Sequence, residues 1–70
     1  MGFGDWLYQQ RNRTDPIGLL ARQMLNDAIS PLWSNRRITY HSYLIFRNAN
    51  QRLFQALDDA FAEWEKHIAA

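Results

Sequence analysis

Asn50-Gln51-Arg52-Leu53-Phe54-Gln55-Ala56-Leu57-Asp58-Asp59-Ala60-Phe61-Ala62-Glu63-Trp64-Glu65-Lys66-His67-Ile68 is the stretch that decides the fold class of this chain. Leu53, Phe54, Leu57, Ala60, Phe61, Trp64 and Ile68 recur at intervals of three and four, which places them on one side of an α-helix. Gln, Asp, Glu and Lys occupy the positions between. A strand would need alternation at period two, and this stretch has none. Asn50 stands where a side-chain oxygen accepts from the orphan amides of a first helical turn. A helix with one apolar side must bury that side, so the rest of the chain has to supply a second layer.

Working back from Asn50, the segment Asn48-Ala49-Asn50 reads as a break. Thr39 to Asn48 is expected as a third helix, with Thr39 as its cap and Tyr40, Tyr43 and Leu44 as its inner stripe. The run Tyr43-Leu44-Ile45-Phe46 has strand-like content, but nothing else in the chain offers a strand to pair with it. Ser30-Pro31 is expected to end the preceding helix, because a residue before proline is pushed out of helical geometry. Leu32 to Arg37 then forms a loop or single turn, with Trp33 folded back onto the core.

Asp15-Pro16 opens the second helix: Asp caps the free amides, and Pro lacks the N–H that the first helical position would leave unsatisfied. Ile17, Leu20, Ala21, Met24, Leu25 and Ala28 follow on one side, with Arg22, Gln23 and Asn26 opposite. Gly18 costs about 1 kcal/mol relative to Ala inside a helix, so a close approach by the first or last helix is expected over it. Phe3, Trp6, Leu7 and Gln10 set out a first helix, and Arg11 to Thr14 connects it to the second. Arg13 and Asp15 bracket that turn and are expected to touch. The predicted architecture is all-α: one compact four-helix domain spanning residues 1–70, with a long C-terminal helix.

Composition limits what this domain can be. Seventy residues lie near the lower end of what folds without a staple, and the chain has no cysteine to make one. His41 and His67 are too few and too far apart for a metal cage. Stability has to come from the core, which ten aromatic residues equip with large buriable areas. The absence of cysteine is compatible with a reducing compartment, and a cytoplasmic location is expected. Residues 1–5 lack the layout of a signal peptide, and Trp6 stands where a myristoylation signal wants Ser or Thr. The longest apolar run, Tyr43 to Phe46, falls far short of the roughly 20 residues that cross a membrane.

Both ends of the chain also resemble a known family. Phe3-x-x-Trp6-Leu7-x-x-Gln10-Arg11-x-Arg13-x-Asp15-Pro16-Ile17-Gly18-x-Leu20-Ala21 resembles the opening of the YozE-like proteins, and Phe61-Ala62-Glu63-Trp64 looks like the Phe and Trp of their terminal helix. These are small bacterial proteins whose fold is similar to the sterile alpha motif (SAM). The middle of the chain departs from the family pattern. Thr39 to Arg47 is basic and rich in aromatics where the family tends to be acidic, and Leu19 stands where the family usually has an acid. The resemblance implies a SAM-like fold more than a function.

Catalytic chemistry has no foothold in the residue pattern. Ser30, Ser34 and Ser42 lack a His and acid frame, and the side chains of Asp58 and Asp59 diverge by about 100° on a helix. His41 reads as a surface or half-buried residue. Trp6, Trp33, Phe61 and Trp64 read as core rather than as a ligand pocket. The sequence therefore predicts no enzyme, no cofactor, no metal and no small-molecule substrate.

One feature stands apart: Arg36, Arg37, Arg47 and Arg52 fall in a stretch, residues 28–57, without a single acid. Residues 1–55 hold seven arginines against three aspartates, whereas residues 56–70 hold Asp58, Asp59, Glu63 and Glu65 against Lys66. Arg47 and Arg52 flank the start of the last helix, where positive charge opposes the helix macrodipole. Helix stability alone would not select that layout. Two readings follow. In the first, Arg36, Arg37, Arg47, Asn50 and Arg52 form a docking surface for an acidic protein partner, or for a homodimer that pairs the arginines with the acidic end of the last helix. SAM domains commonly set the start of the terminal helix against an acidic mid-domain surface. With no acid in residues 28–57, simple head-to-tail polymers of that kind are not expected. In the second, the four arginines contact nucleic-acid phosphates while Trp33, Tyr40 and Tyr43 stack on bases. That reading requires the tyrosines to be exposed.

Overall fold

The amphipathic stretch after Asn50 forms one helix, α4 (Gln51–Ala69), in the computed structural model, which describes residues 1–69. Leu53, Ala56, Leu57, Ala60, Phe61 and Trp64 are its buried side. The Asn50 Oδ1 accepts from the Leu53 amide at 3.2 Å, as a cap should. Ile68, predicted on the same stripe, is exposed. No described residue after Trp64 is buried, so the last turn outruns the layer it packs on.

The other helices are α1 (Phe3–Gln9), α2 (Pro16–Leu25) and α3 (Arg37–Phe46), and no strand occurs among the described residues. The fold is all-α. In α2 the Asp15 Oδ1 accepts from the Gly18 amide at 3.1 Å, with Pro16 at the first position. This helix stops well before Ser30-Pro31. The Ser30 hydroxyl donates to the Met24 carbonyl at 2.7 Å, and the Asp27 carboxylate accepts from the Ile29 amide at 3.2 Å. These local bonds offer the backbone an alternative to another helical turn, and they win over the apolar spacing of Ala28.

The third helix starts earlier than the Thr39 cap predicted. Arg36 holds the cap position with extended backbone and no side-chain cap bond, and Thr39 lies inside the first turn. Its far end is a Schellman motif. Asn48 takes positive φ (55°), the Ala49 amide donates to the Leu44 carbonyl at 3.0 Å, and the Asn48 amide donates to Ile45 at 3.0 Å. Asn tolerates that left-handed position better than most residues do, which explains why the break falls here.

Helix α4 packs against each of the other three, and α3 also reaches α1 through the Tyr40 ring. The core between them is aromatic. The Phe3 ring stacks on Phe61 with centroids 3.8 Å apart, Tyr40 meets Phe3 edge-on at 4.8 Å, and Trp64 does so at 5.6 Å. Leu7, Leu20, Met24 and Leu57 complete it. Gly18 does sit under a close approach, but not of a helix. A Cβ there would lie 2.0 Å from the Arg13 carbonyl oxygen, so the α1–α2 connection crosses its own helix at that point. Gly4 has the same role under the α2–α3 connection, where a Cβ would lie 1.8 Å from the Leu32 carbonyl oxygen. No described helix is long and apolar enough to cross a membrane.

Candidate functional site

Two of the four arginines of residues 28–57 are held by acids of the same chain. Arg37, on the first turn of α3, reaches across to Asp58 of α4 at 2.9 Å. Arg47, just past α3, makes a bidentate pair with Asp27, its Nε and Nη2 both donating at 2.8 Å. The Tyr43 hydroxyl donates to the same carboxylate. Arg36 and Arg52 are exposed and make no ion pair among the described residues. Asn50 is committed to capping α4, though its side chain also borders, with Arg47, a depression of about 530 Å³ floored by Leu20, Met24, Leu44 and Leu53.

These pairs explain the charge layout that helix stability alone does not. Asp58 holds Arg37 and Glu63 holds Arg13, at 2.9 Å each, so acids placed mid-helix bind cations supplied by other elements. Arg13 also donates to Asp15 at 2.5 Å, so one guanidinium ties the α1–α2 turn to α4. Each exposed pair contributes little by itself. They hold two of the four arginines of the basic patch that the sequence predicted, Arg37 and Arg47, and leave Arg36 and Arg52 exposed.

The titration shifts follow the same contacts. The Tyr43 hydroxyl and then the Arg47 guanidinium hold the Asp27 carboxyl below its usual range. Burial raises the Tyr43 phenol and its bond to Asp27 adds to this, while Asp27 raises Arg47. Asp15 is lowered by Arg13 and by the Gly18 amide. Tyr40 is pushed up by burial.

Two of the three aromatics proposed for base stacking are unavailable. Tyr40 is fully buried with its hydroxyl donating to the Ser34 carbonyl at 2.6 Å, and Tyr43 is half-buried and tied to Asp27. Trp33 reverses its expectation. It stands 81 % exposed instead of folding onto the core. Leu32 beside it is the residue that packs inward, its backbone lying over Gly4, so the neighbouring side chain points to solvent.

A different surface emerges on α3. This helix turns Tyr40 and Leu44 inward and leaves Ile38 (60 %), Ile45 (58 %) and Phe46 (70 %) exposed. Ile38, His41 and Ile45 line one wall of a groove of about 630 Å³, and Gln51, Phe54 and Asp58 of α4 line the other. The Arg37–Asp58 pair closes one end. The His41 ring meets Phe54 edge-on at 5.0 Å and forms part of the floor. The signal for this face was present in the sequence as two isoleucines seven residues apart, which share a helix side. It competed with the tyrosine stripe, and periodicity alone cannot say which of two apolar stripes faces in. Among the described residues, no group of three His, Cys, Asp or Glu side chains is arranged to hold a metal.

No family model, no curated protein and no solved structure matches this chain.

Proposed function

We propose that this domain is a protein–protein interaction module whose docking surface is the outward face of α3 with the adjoining α3–α4 groove. The observation that carries this reading is the apolar outer face of α3. A ten-residue helix that buries a tyrosine and a leucine while exposing Ile38, Ile45 and Phe46 leaves apolar area in water. Contiguous exposed apolar surface with a polar rim is the mark of an interaction site. Arg37, Asp58 and Gln51 supply that rim. The arginines predicted as the docking surface enter only at its edge, through Arg37. The resemblance to YozE-like and SAM-like proteins remains part of this proposal, supported by the packing of Phe3, Trp6, Phe61 and Trp64, residues that carry it, into one aromatic cluster. A cytoplasmic setting accords with the cysteine-free core.

Nucleic-acid binding is the competing outcome of the test. Immobilised chain and its Ile45→Glu variant would be compared for the proteins each retains from a cell extract. Labelled DNA and RNA would be titrated against both by fluorescence anisotropy. Partners retained by the native chain and lost by the variant support the module. Identical retention by both, with salt-sensitive nucleic-acid binding that is lost in Arg36→Ala/Arg37→Ala, would replace it.

A further inference from the structure

The side that α4 gives to the α3–α4 groove continues past the first turn of α3. Gln51, Phe54 and Asp58 line the groove itself, and Phe61, Ala62 and Glu65 line a second depression of about 360 Å³ beyond it. Gln51, Phe54, Asp58, Phe61 and Glu65 recur at intervals of three and four, so they share one side of α4. That side is roughly 21 Å long at the α-helical rise. Arg37 and Asp58 belong to both depressions, and their contact at 2.9 Å crosses from α3 to α4 where the two meet. Without that contact the two depressions form one groove. We propose that the Arg37–Asp58 ion pair is a strap across this groove, closed in the free domain and opened by a helix of the partner, a regulation that rests on the docking function above.

Of the ion pairs among the described residues, this one is the most loosely held. Arg13 is shared between Asp15 and Glu63, and Arg47 grips Asp27 through two nitrogens while Tyr43 donates to the same carboxylate. Arg37 and Asp58 share a single hydrogen bond, and neither has a second side-chain partner among the described residues. Their side chains are 62 % and 51 % exposed. A pair so exposed is screened by water and salt and opens at little cost. The other pairs fasten one element to the next, whereas this one spans a surface groove and can part without unpacking the core.

Shape and charge together define what opens it. A straight groove laid along a helix takes another helix, with apolar side chains entering beside Ile38, Ile45 and Phe54. While the pair is closed, the groove is too short for more than the part between Gln51 and Asp58. A helix that runs the full length displaces the pair and covers both charges. It therefore has to carry an acid for Arg37 and a base for Asp58, since a covered charge without a partner is strongly unfavourable.

Binding of Nile red, an uncharged dye that reports apolar space, tests the strap on the full chain. Asp58→Arg and Arg37→Asp each set like charges against one another across the groove, and the double exchange restores an ion pair. Each single variant should bind the dye about two- to fivefold more tightly than the native chain, the range that an exposed pair allows, with unchanged circular dichroism. The double exchange should return to the native affinity. Adding Phe54→Ser to Asp58→Arg should cancel the gain, because Phe54 lines the groove. Single variants no tighter than the native chain, a double exchange as tight as the singles, or a gain that survives Phe54→Ser would each overturn the strap. No partner protein enters this measurement. If it fails while Ile45→Glu still loses extract partners, the docking function stands without the strap.

Discussion

Phe3 and Phe61, from the first turn of α1 and the middle of α4, lie face to face with their ring planes 12° apart. Tyr40 of α3 meets both rings edge-on, at 4.8 Å and 5.6 Å. One stack thus joins three of the four helices.

Removing one ring should therefore cost more than an average core substitution. Phe61→Ala is expected to lose about 3–5 kcal/mol, against a total of roughly 4–10 kcal/mol for a domain of this size. Urea denaturation followed by circular dichroism reads this directly. A midpoint within error of the native chain would contradict the stack's role.

Gly18→Ala sets two effects against each other. Helix propensity favours Ala by about 1 kcal/mol, but the new methyl would meet the Arg13 carbonyl at 2.0 Å, a backbone atom that has to move. The expected result is net destabilisation of roughly 2 kcal/mol or more, of the kind seen for overpacking. A stabilised variant would show that the connection gives way easily.

The Tyr40 hydroxyl is buried and donates to the Ser34 carbonyl at 2.6 Å. Tyr40→Phe keeps the ring and leaves that carbonyl without its partner, which should cost about 1–3 kcal/mol in thermal or chemical unfolding. A loss under about 0.5 kcal/mol would mean that water reaches the carbonyl.

Asp27 gives the fold an acid dependence of definite sign. Its carboxyl is held below the ordinary value of 3.8 in the folded chain by Tyr43 and Arg47, and Asp15 is lowered too, chiefly by Arg13. A depressed folded-state value means that the folded chain holds its charge more tightly than the unfolded chain does. The stabilisation is therefore complete above about pH 4–5 and lost as pH falls through the folded-state value. Stability measured from pH 7 down to pH 2 should fall in that window, and Asp27→Asn should flatten the fall. An unaltered profile in Asp27→Asn would assign the acid transition elsewhere.

Trp33 should behave as a surface residue. Trp33→Ser is expected to change stability by no more than about 0.5 kcal/mol and to remove the fluorescence that iodide quenches, leaving the emission of buried Trp6 and Trp64. Loss of an unquenchable component instead would place Trp33 in the interior.

Much of the fold was legible because local rules and burial agreed. Asp15-Pro16 and Asn50 act as the caps their chemistry predicts, and Leu53, Leu57, Ala60, Phe61 and Trp64 share one buried side. The misreadings lie where two local options were close in energy. At Thr39 a capping residue was available, yet the helix began two residues earlier at Arg37, where Arg37 can reach Asp58. At Leu32-Trp33 only one of two adjacent side chains could point inward, and the smaller one did.

The candidate site was less legible than the fold, because it depends on which charges meet. Arg37, Arg47, Asp27 and Asp58 are ordinary exposed-type residues in the sequence, and the pairs Arg47–Asp27 and Arg37–Asp58 join positions 20 and 21 apart. Periodicity acts over a turn or two of helix and carries no information about such partners. The amino-acid order by itself determined that this chain is helical, where its strongest helix runs and that Trp6, Tyr40, Phe61 and Trp64 join the core, since spacing and capping are local properties. Only the tertiary structure decided that Arg37 and Arg47 are held by Asp58 and Asp27 while Arg36 and Arg52 are not, because such pairs depend on how α3 is set against its neighbours, and that is fixed by packing.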